Sequence, residues 1–233
     1  MFKFIIVAFF ILLQLEASTD EALKAFKAQQ YQKAFELYQK SALEGDAKAQ
    51  SALSYLYANG LGTQKDAKKS IEWLEKSANN ANVNAQYDLG MFYLNGNNVP
   101  QNSKKAFEFL TKASEQNHAD AQYNLAQMYY KGDGADLNIS KAAELFEKAA
   151  NSGHKGAQQN IGHVYLHLLN FDEASKWFEK SAAKGDESVY YVLAQVYCEL
   201  EQFKKAKEWA QKAINNGNKE AELLFKKYDL QKY

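Results

Sequence analysis

Apolar residues recur along this chain with the period of an α-helix, in pairs of short segments separated by turns. In the stretch 119–153, the first apolar segment ends at the Gly-rich turn Gly132-Asp133-Gly134, and the second ends at Gly153. The same phrase recurs before and after this stretch. The pattern therefore predicts an array of paired helices, each pair closed by a glycine that can adopt the left-handed cap conformation.

An Ala-Gln-like phrase sets the register of the array. It recurs at spacings of 36, 36, 36, 32 and 32 residues and begins at Ala49, Ala85, Ala121, Ala157, Val189 and Ala221. Each phrase is followed by a Leu or Ile, then a small residue, with a Tyr four places after the Leu or Ile. These pairs are Leu53/Tyr57, Leu89/Tyr93, Leu125/Tyr129, Ile161/Tyr165 and Leu193/Tyr197. Because positions i and i+4 share a helix face, these pairs are predicted core, and the small residue would let a neighbouring helix approach closely.

A repeat of 32 to 36 residues built from helix pairs is typical of an α-solenoid, in which each pair buries its apolar face against the next. We predict about six pairs without an internal boundary, so that residues 18–233 form a single repeat domain. Asp20 is expected to cap the first helix. The last helix, predicted over residues 220–228, is expected to close the array.

Residues 1–17 have the layout of a secretory signal peptide. A basic start at Lys3 precedes ten apolar residues, Phe4 to Leu13, and the chain then turns polar with small residues. The apolar run is shorter than the ~20 residues that a membrane-spanning helix needs. We therefore expect cleavage near Ala17 or Ser18, a periplasmic or secreted protein, and no stable membrane insertion after cleavage. An uncleaved anchor is the alternative interpretation.

Charge and cysteine content narrow the classes of partner. Lys plus Arg and Asp plus Glu number 28 each, so the net charge is zero. A neutral chain gives no electrostatic reason to expect nucleic acid or an anionic membrane as the partner. Cys198 is the one cysteine, so no internal disulfide can form. It is interpreted as a half-buried filler, with an intermolecular disulfide as the alternative.

The repeated phrase resembles the Sel-one-like branch of the tetratricopeptide repeats, over nearly all of the chain after the signal. The residues that carry the resemblance are Ala49, Leu53-Ser54, Tyr57, Gly60-Leu61-Gly62 and Asp66, then Ala85, Leu89-Gly90, Tyr93 and Gly96, then Ala121, Leu125-Ala126, Tyr129, Gly132-Asp133-Gly134 and Lys141-Ala142. The resemblance implies an all-α fold, a right-handed α-solenoid of tandem antiparallel helix pairs. It also implies a protein-binding adaptor without a cofactor, and exported bacterial relatives often act at the cell envelope or on a host.

One secreted subfamily of these repeats is cysteine-rich and has been linked to β-lactam binding or hydrolysis. Its members carry cysteine pairs eight positions apart, and the matching positions here hold Ala78/Gln86, Ser114/Gln122, Ala150/Gln158 and Ala182/Tyr190. A hydrolase acting on β-lactams or cell-wall material is therefore kept only as the alternative function. Two Ser-x-x-Lys matches, 152–155 and 181–184, lack the Ser-Asp-Asn and Lys-Thr-Gly partners, so no catalytic residue is predicted.

The first helix of each pair is expected to line the concave face of a solenoid. Side chains that point away from the Leu/Tyr core face are candidates for binding an extended peptide or a partner helix: Tyr55, Tyr87, Met91, Asn95, Tyr123, Gln127, Lys131, Gln159, His163, Tyr191 and Gln195. Tyrosine recurs at equivalent places and offers a large contact area at low entropic cost. The alternative is that these tyrosines are structural, since aromatic stripes at helical spacing are usually core.

Two weaker motifs complete the candidates. His163 and His167 lie four residues apart on one helix face, which a metal could use, but no third ligand stands at a suitable spacing. We therefore predict no metal site. The triplet 138–140 fits a glycosylation acceptor, which has meaning only in a eukaryote.

Overall fold

The computed structural model describes residues 18–233, and this part of the chain contains thirteen α-helices, two short 3₁₀ turns and no strand. The predicted signal peptide, residues 1–17, lies outside the described residues. The chain divides into two compact units, of which the first ends at Ala121 and the second runs from Gln122 to Tyr233. The all-α fold class of tandem helix pairs is confirmed, and the single domain over residues 18–233 stays a prediction.

The first unit contains three successive helix pairs and the start of a fourth. Its helices are α1 (18–27), α2 (Tyr31–Leu43), α3 (Ala47–Asn59), α4 (Ala67–Asn79), α5 (Val83–Asn95), α6 (Ser103–Glu115) and the first turn of α7 (Ala119–Lys131). Each of α2 to α5 packs against the next helix along the chain. The first unit is therefore a linear stack of neighbours, as the repeat pattern predicts.

The second unit continues in the same way with the rest of α7. It contains α8 (Ile139–Asn151), α9 (Lys155–His167), α10 (Phe171–Ala183), a 3₁₀ turn (Glu187–Val189), α11 (Tyr190–Glu199), α12 (Phe203–Asn215), α13 (Lys219–Lys227) and a last 3₁₀ turn (Leu230–Lys232). The turn before α10 is short, whereas the turn before α8 is a long Gly-x-Gly loop. This shortening explains why the repeat falls from 36 to 32 residues.

Polar side chains at fixed positions determine where the helices begin. Asp46 accepts hydrogen bonds from the backbone N–H groups of Lys48 and Ala49 at the start of α3. The same role is taken at the starts of α4, α5, α6, α8, α10 and α13 by Asp66, Asn82, Asn102, Asn138, Asn170 and Asn218. A capping side chain satisfies a backbone donor that the first turn leaves unpaired. The repeat therefore fixes helix boundaries as well as faces.

The predicted Leu and Ile core positions are buried in both units, and of their Tyr partners Tyr57, Tyr93 and Tyr197 are buried, whereas Tyr129 and Tyr165 are half-buried. Leu53, Leu89, Ile161 and Leu193 have no exposed surface, and Leu125 has almost none. The small residues that follow them allow helices to touch. A Cβ added at Gly90 would lie 2.8 Å from the Leu110 side chain, and one added at Gly162 would lie 2.8 Å from the Phe178 ring. Close approach of neighbouring helices at these positions is thereby confirmed.

A buried glutamine links three helices at each step of the first unit. Gln86 of α5 donates to the Ala78 carbonyl at the end of α4 (3.1 Å), and its own oxygen accepts from Gln116 Nε2 after α6 (2.7 Å). Gln50 does the same with Ala42 and Asn80 one repeat earlier. In the second unit, Gln158 bonds the Ala150 carbonyl and accepts from Lys184 Nζ. The sequence marks the glutamine through its period but does not reveal these partners.

The predicted N-cap at Asp20 is wrong, because residues 18–20 are already helical. The side chains of this first turn form long-range hydrogen bonds instead. Thr19 Oγ1 donates to Asp46 Oδ2 (2.8 Å), and Ser41 Oγ donates to Ser18 Oγ (3.0 Å). These contacts fasten the start of α1 to the end of α2 and the start of α3, which no local pattern could indicate.

The C-terminal end is also more structured than expected. Helix α13 is followed by a 3₁₀ turn that packs on α12 and α13. Leu230 in this turn is completely buried, and the Tyr233 ring stacks on Phe203 with centroids 4.8 Å apart. The turn therefore covers apolar surface that the last helix alone would leave open.

The Gly-x-Gly turn after α3 makes a testable contact with α2. Gly62 has φ +68°, and a Cβ there would lie 2.1 Å from the Tyr31 carbonyl oxygen. We expect Gly62→Ala to lower the free energy of unfolding by about 3 kcal/mol, through overpacking against backbone and left-handed strain. Gly45→Ala is the control, because Gly45 also has a positive φ but nothing within 4 Å. Its expected loss is about 1 kcal/mol. Equal losses in urea unfolding would contradict the close contact.

Removing one buried glutamine tests the linkage between repeats. Gln86→Leu keeps the side-chain size but leaves the Ala78 carbonyl and Gln116 without this partner, so the free energy of unfolding should fall by about 2 kcal/mol. The matched control is Gln32→Leu on the exposed face of α2, expected to change stability by less than about 0.5 kcal/mol. Chemical denaturation followed by circular dichroism measures both variants, and a neutral Gln86→Leu would disprove the role.

Candidate functional site

The predicted binding residues all retain solvent exposure. In the first unit, Tyr55 and Asn95 are exposed, whereas Tyr87 and Met91 are half-buried. In the second unit, the exposed members are Lys131, Gln159 and His163, and the half-buried members are Tyr123, Gln127, Tyr191 and Gln195. They lie on first helices of their pairs, as expected. Partner binding by these residues stays a prediction.

Two of the recurring tyrosines stack on histidines that cap the next first helix. In the first unit, the Tyr87 and His118 rings are 4.6 Å apart and nearly parallel, and in the second unit Tyr123 and His154 are 4.1 Å apart. Nδ1 of each histidine accepts a backbone N–H at the start of the helix that it precedes (3.2 and 3.0 Å). Each stacked pair therefore joins one repeat to the next and fills the space between their first helices.

The hydroxyl groups of two of the recurring tyrosines, Tyr123 and Tyr191, also form hydrogen bonds. Tyr123 Oη accepts hydrogen bonds from Gln127 Nε2 (2.9 Å) and Asn160 Nδ2 (3.4 Å), and Tyr191 Oη accepts one from Gln195 Nε2 (3.0 Å). These contacts support the structural alternative for the tyrosines. Their half-exposed rings remain available at the surface, so binding through the same side chains stays a prediction.

A groove opens in the first unit where the stacked pair is missing. Ser51 stands at the place equivalent to Tyr87, and Asn82 stands where His118 follows it. Both residues line a groove of about 400 Å³ on α1, α3 and the start of α5. Leu23 and Tyr55, which are 41% and 54% exposed, form its apolar rim. Lys48, Phe26, Ala52 and Asn84 also line it.

A second groove opens in the second unit for the same reason. Gln159 takes the place of Tyr123, and Asp186 takes the place of His154. Both line a groove of about 760 Å³ between the end of α8, α9 and α10. A sequence signal could have found both grooves. At each groove, a small or amide residue stands where a neighbouring repeat has tyrosine, and the N-cap position of the next first helix has no histidine.

The two histidines of α9 have aromatic partners. His167 Nδ1 lies 2.5 Å from Tyr130 Oη in the preceding pair, and His163 meets the edge of the Phe178 ring with centroids 4.9 Å apart. Across residues 18–233, no group of three or more His, Cys, Asp or Glu side chains could hold a metal ion. His167 therefore contributes to packing between repeats.

The Ser-x-x-Lys match at 181–184 lies on the second groove, and its groups engage other residues. Ser181 Oγ donates to Asp186 Oδ2 (2.8 Å), while Lys184 Nζ donates to Gln158 Oε1 (2.7 Å).

Asn138, the first residue of the glycosylation triplet, accepts from the Lys141 backbone N–H and caps α8. Capping and linkage between repeats explain why these residue types stand here.

The core tyrosines have half-buried carboxylate partners that sequence reasoning missed. Tyr165 Oη donates to Glu147 (2.9 Å), and Tyr197 Oη donates to Glu179 at a spacing that is again 18 residues. Burial first, and then the hydrogen bond to Glu147, raises the pKa of Tyr165. Burial is the main cause that raises the pKa of Tyr197 to about 12, and the hydrogen bond to Glu179 is the second. These phenols stay neutral donors that hold each first helix to the preceding second helix.

Cys198 is packed inside α11 and only 4% exposed. Burial, followed by the nearby Glu199 carboxylate, raises the pKa of its thiol to about 11. A thiol of this kind is a poor nucleophile at neutral pH, because the thiolate is the reactive form. The structure thus favours the interpretation of Cys198 as a packed filler.

The repeat family follows from a comparison with family models. Six matches to the Sel1 repeat cover residues 26–46, 47–82, 83–118, 119–154, 156–186 and 191–218. The chain belongs to the Sel1 repeat family. Sel1 repeats form α-solenoid scaffolds that generally mediate protein interactions, and such proteins are typically not enzymes. No curated protein matches the chain.

Two solved structures illustrate the likeness. A Sel1 repeat protein from Oxalobacter formigenes is 27% identical, with a TM-score of 0.63 over 88% of this chain and 84% of that one. The protein c5321, a protective antigen present in uropathogenic Escherichia coli strains, has the SLR fold and is 26% identical, with a TM-score of 0.69. Its match covers 89% of this chain and 47% of c5321, so this chain corresponds to about half of that protein.

The accessibility of Cys198 gives a direct test of its packing. In the native full chain, the thiol should react with Ellman's reagent at least about a hundredfold more slowly than in the urea-unfolded chain, because it is buried and protonated. A non-reducing gel of the untreated protein should show monomer only. Rapid reaction of the native thiol, or a disulfide-linked dimer, would restore the intermolecular alternative.

Proposed function

We propose that this Sel1 repeat protein is an exported scaffold that binds a protein or peptide partner on the first-helix faces of its repeats and catalyses no reaction of its own. The family supports the scaffold role, since Sel1 repeats generally mediate protein interactions. The partner-binding face and the absence of catalysis are our inference from the geometry.

The observation that carries the proposal is the groove of the first unit. Its rim presents Leu23 and Tyr55 to solvent on two successive first helices, and Asn84 at the start of α5 supplies an exposed amide group beside them. An apolar rim with a few polar groups is typical of sites that bury a partner side chain while hydrogen bonding its backbone. Exposed tyrosine is also enriched at protein interfaces.

Export is proposed on the N-terminal pattern. Residues 1–17 read as a secretory signal, and the 26% identical c5321 is a protective antigen of uropathogenic strains. None of the helices over residues 18–233 is long and apolar enough to cross a membrane. We propose that the binding function belongs in the periplasm or outside the cell.

The hydrolase alternative does not enter the proposal. Ser181 and Lys184, the residues of one Ser-x-x-Lys match, are bonded to Asp186 and Gln158. Such contacts join helix ends within the second unit, and nothing about them favours a nucleophile paired with its base.

Site-specific photocrosslinking tests the proposal in the producing cell. A full-length chain with p-benzoylphenylalanine in place of Tyr55 should give a discrete crosslinked partner on irradiation, because position 55 lies on the groove rim. The matched control carries the same group in place of Leu43, which is 72% exposed on α2 in the same unit but does not line the groove. It should give no such species.

A variant of the groove and cell fractionation complete this experiment. Phe26→Ala in the position 55 background should weaken the crosslink by altering the groove floor, while circular dichroism confirms the fold. Crosslinks of equal yield at positions 43 and 55 would reject the first-helix face as the binding site. Recovery of the chain in the cytoplasm alone would reject export.

A further inference from the structure

We infer that the groove of the second unit is a binding site for an acidic peptide segment of a partner protein, one that carries an aliphatic residue beside its Asp or Glu side chains. This inference rests on the proposed scaffold function and gives it a ligand chemistry. It concerns a groove of about 760 Å³ on α9 and α10, separate from the groove around Tyr55.

The groove exists because two residues differ from their equivalents in the preceding repeat. There, the Tyr123 ring stacks on His154 at 4.1 Å and occupies the space between the repeats. Gln159 and Asp186 stand in these two places and form no ring contact. The step from one repeat to the next is otherwise preserved, since Gln158 still bonds the Ala150 carbonyl (2.9 Å). An opening thus appears in an intact stack of helices.

The charges around the groove are mainly positive. Lys155, Lys180 and Lys184 line it and are exposed, and Asp186 is the one acidic residue among its lining side chains. Both carboxylate oxygens of Asp186 already accept hydrogen bonds, Oδ2 from Ser181 Oγ and Oδ1 from the backbone N–H and Oγ of Ser188. In a chain without net charge, this local excess of lysine is complementary to carboxylates of a ligand.

Two of these lysines are new at their places in the repeat. Lys155 corresponds to Ala119 in the preceding repeat, and Lys184 corresponds to Gln116 in the first unit. Lys184 keeps the hydrogen bond that Gln116 makes, because it donates to Gln158 as Gln116 donates to Gln86 (2.7 Å in each case). Linkage of the repeats therefore requires only a donor at this place, and the charge is additional.

The floor of the groove favours a peptide over a purely ionic ligand. Trp177 lies at its base and is 6% exposed, with Lys180 Nζ 3.9 Å from the centre of its ring. Ala150 and Ala183 extend this apolar surface. An aliphatic side chain of the ligand can cover the floor while flanking carboxylates reach the lysines at the rim, and burial of that side chain adds the apolar part of the affinity.

A random peptide library displayed on phage and selected on the immobilised full chain at low salt tests this inference. The enriched peptides should carry two or more Asp or Glu residues around an aliphatic one. A labelled peptide from the selection then serves as the probe for fluorescence anisotropy. Its binding should weaken steeply as salt is added, because the lysines are exposed.

Two variants of opposite design locate the binding. Lys155→Glu/Lys184→Gln removes two positive charges, adds one negative charge and retains a donor for Gln158, and it should weaken binding of the peptide by about tenfold or more. Gln159→Tyr/Asp186→His rebuilds the stacked pair of the preceding repeat and should abolish binding by filling the groove. Lys204→Glu/Lys219→Gln, on exposed first turns elsewhere in the unit, makes the same charge change and should bind the probe as the wild type does.

Other outcomes overturn the inference. They are enrichment of peptides without acidic residues, no enrichment at all, equal binding to all variants, or displacement of the probe by a single-stranded DNA oligonucleotide at equal or lower concentration. A discrete partner crosslinked at position 55 alongside any of these results would leave the scaffold function standing and reject only the acidic-peptide site. Loss of the position 55 crosslink with intact peptide binding would reject the groove around Tyr55 as a binding site and leave the acidic-peptide site standing.

Discussion

The linkage of successive helix pairs rests on hydrogen bonds of a glutamine near the start of a first helix, which is Gln50 in α3, Gln86 in α5 and Gln158 in α9. In the first unit, Gln50 and Gln86 each donate to a carbonyl in the last turn of the preceding helix and accept a hydrogen bond from a side chain just after their own second helix. An unpaired amide at such a buried place would cost ~1–3 kcal/mol. These hydrogen bonds therefore favour one register between the helix pairs that they link.

One consequence is that the packing of the repeats fixes the space between successive first helices, whether or not a ligand is bound. A tyrosine and a capping histidine fill it in one place in each unit, and smaller or amide residues leave it open in another. Changing two side chains can thus open a groove without disturbing the stack, because the Leu and Ile core residues stay buried and Gln158, which lines the second groove, keeps its hydrogen bonds with Ala150 and Lys184. The residues that stabilise the stack thus differ from those that shape its surface. A repeat scaffold can therefore change its binding surface without losing stability.

The candidate site was predictable only in part. Tyr55 and Gln159 fall on the first-helix face that the periodicity identifies, and both line grooves. The tyrosine column, in contrast, suggested a binding stripe, whereas Tyr87 and Tyr123 each have a histidine partner about 31 residues further along the chain. Helical period assigns a residue to a face, but it cannot tell whether a side chain from the next repeat already covers that face.

By itself, the sequence determined the helix pairs, their boundaries and the Leu/Tyr core, because those depend on local hydrogen bonding, capping side chains and a periodic apolar face. It also identified the repeat family through the spacing of Ala, Leu, Tyr and Gly. The tertiary structure alone decided that residues 18–20 are helical, that Leu230 is buried, and where the grooves open. Those features arise from contacts between residues distant along the chain, which no local period encodes.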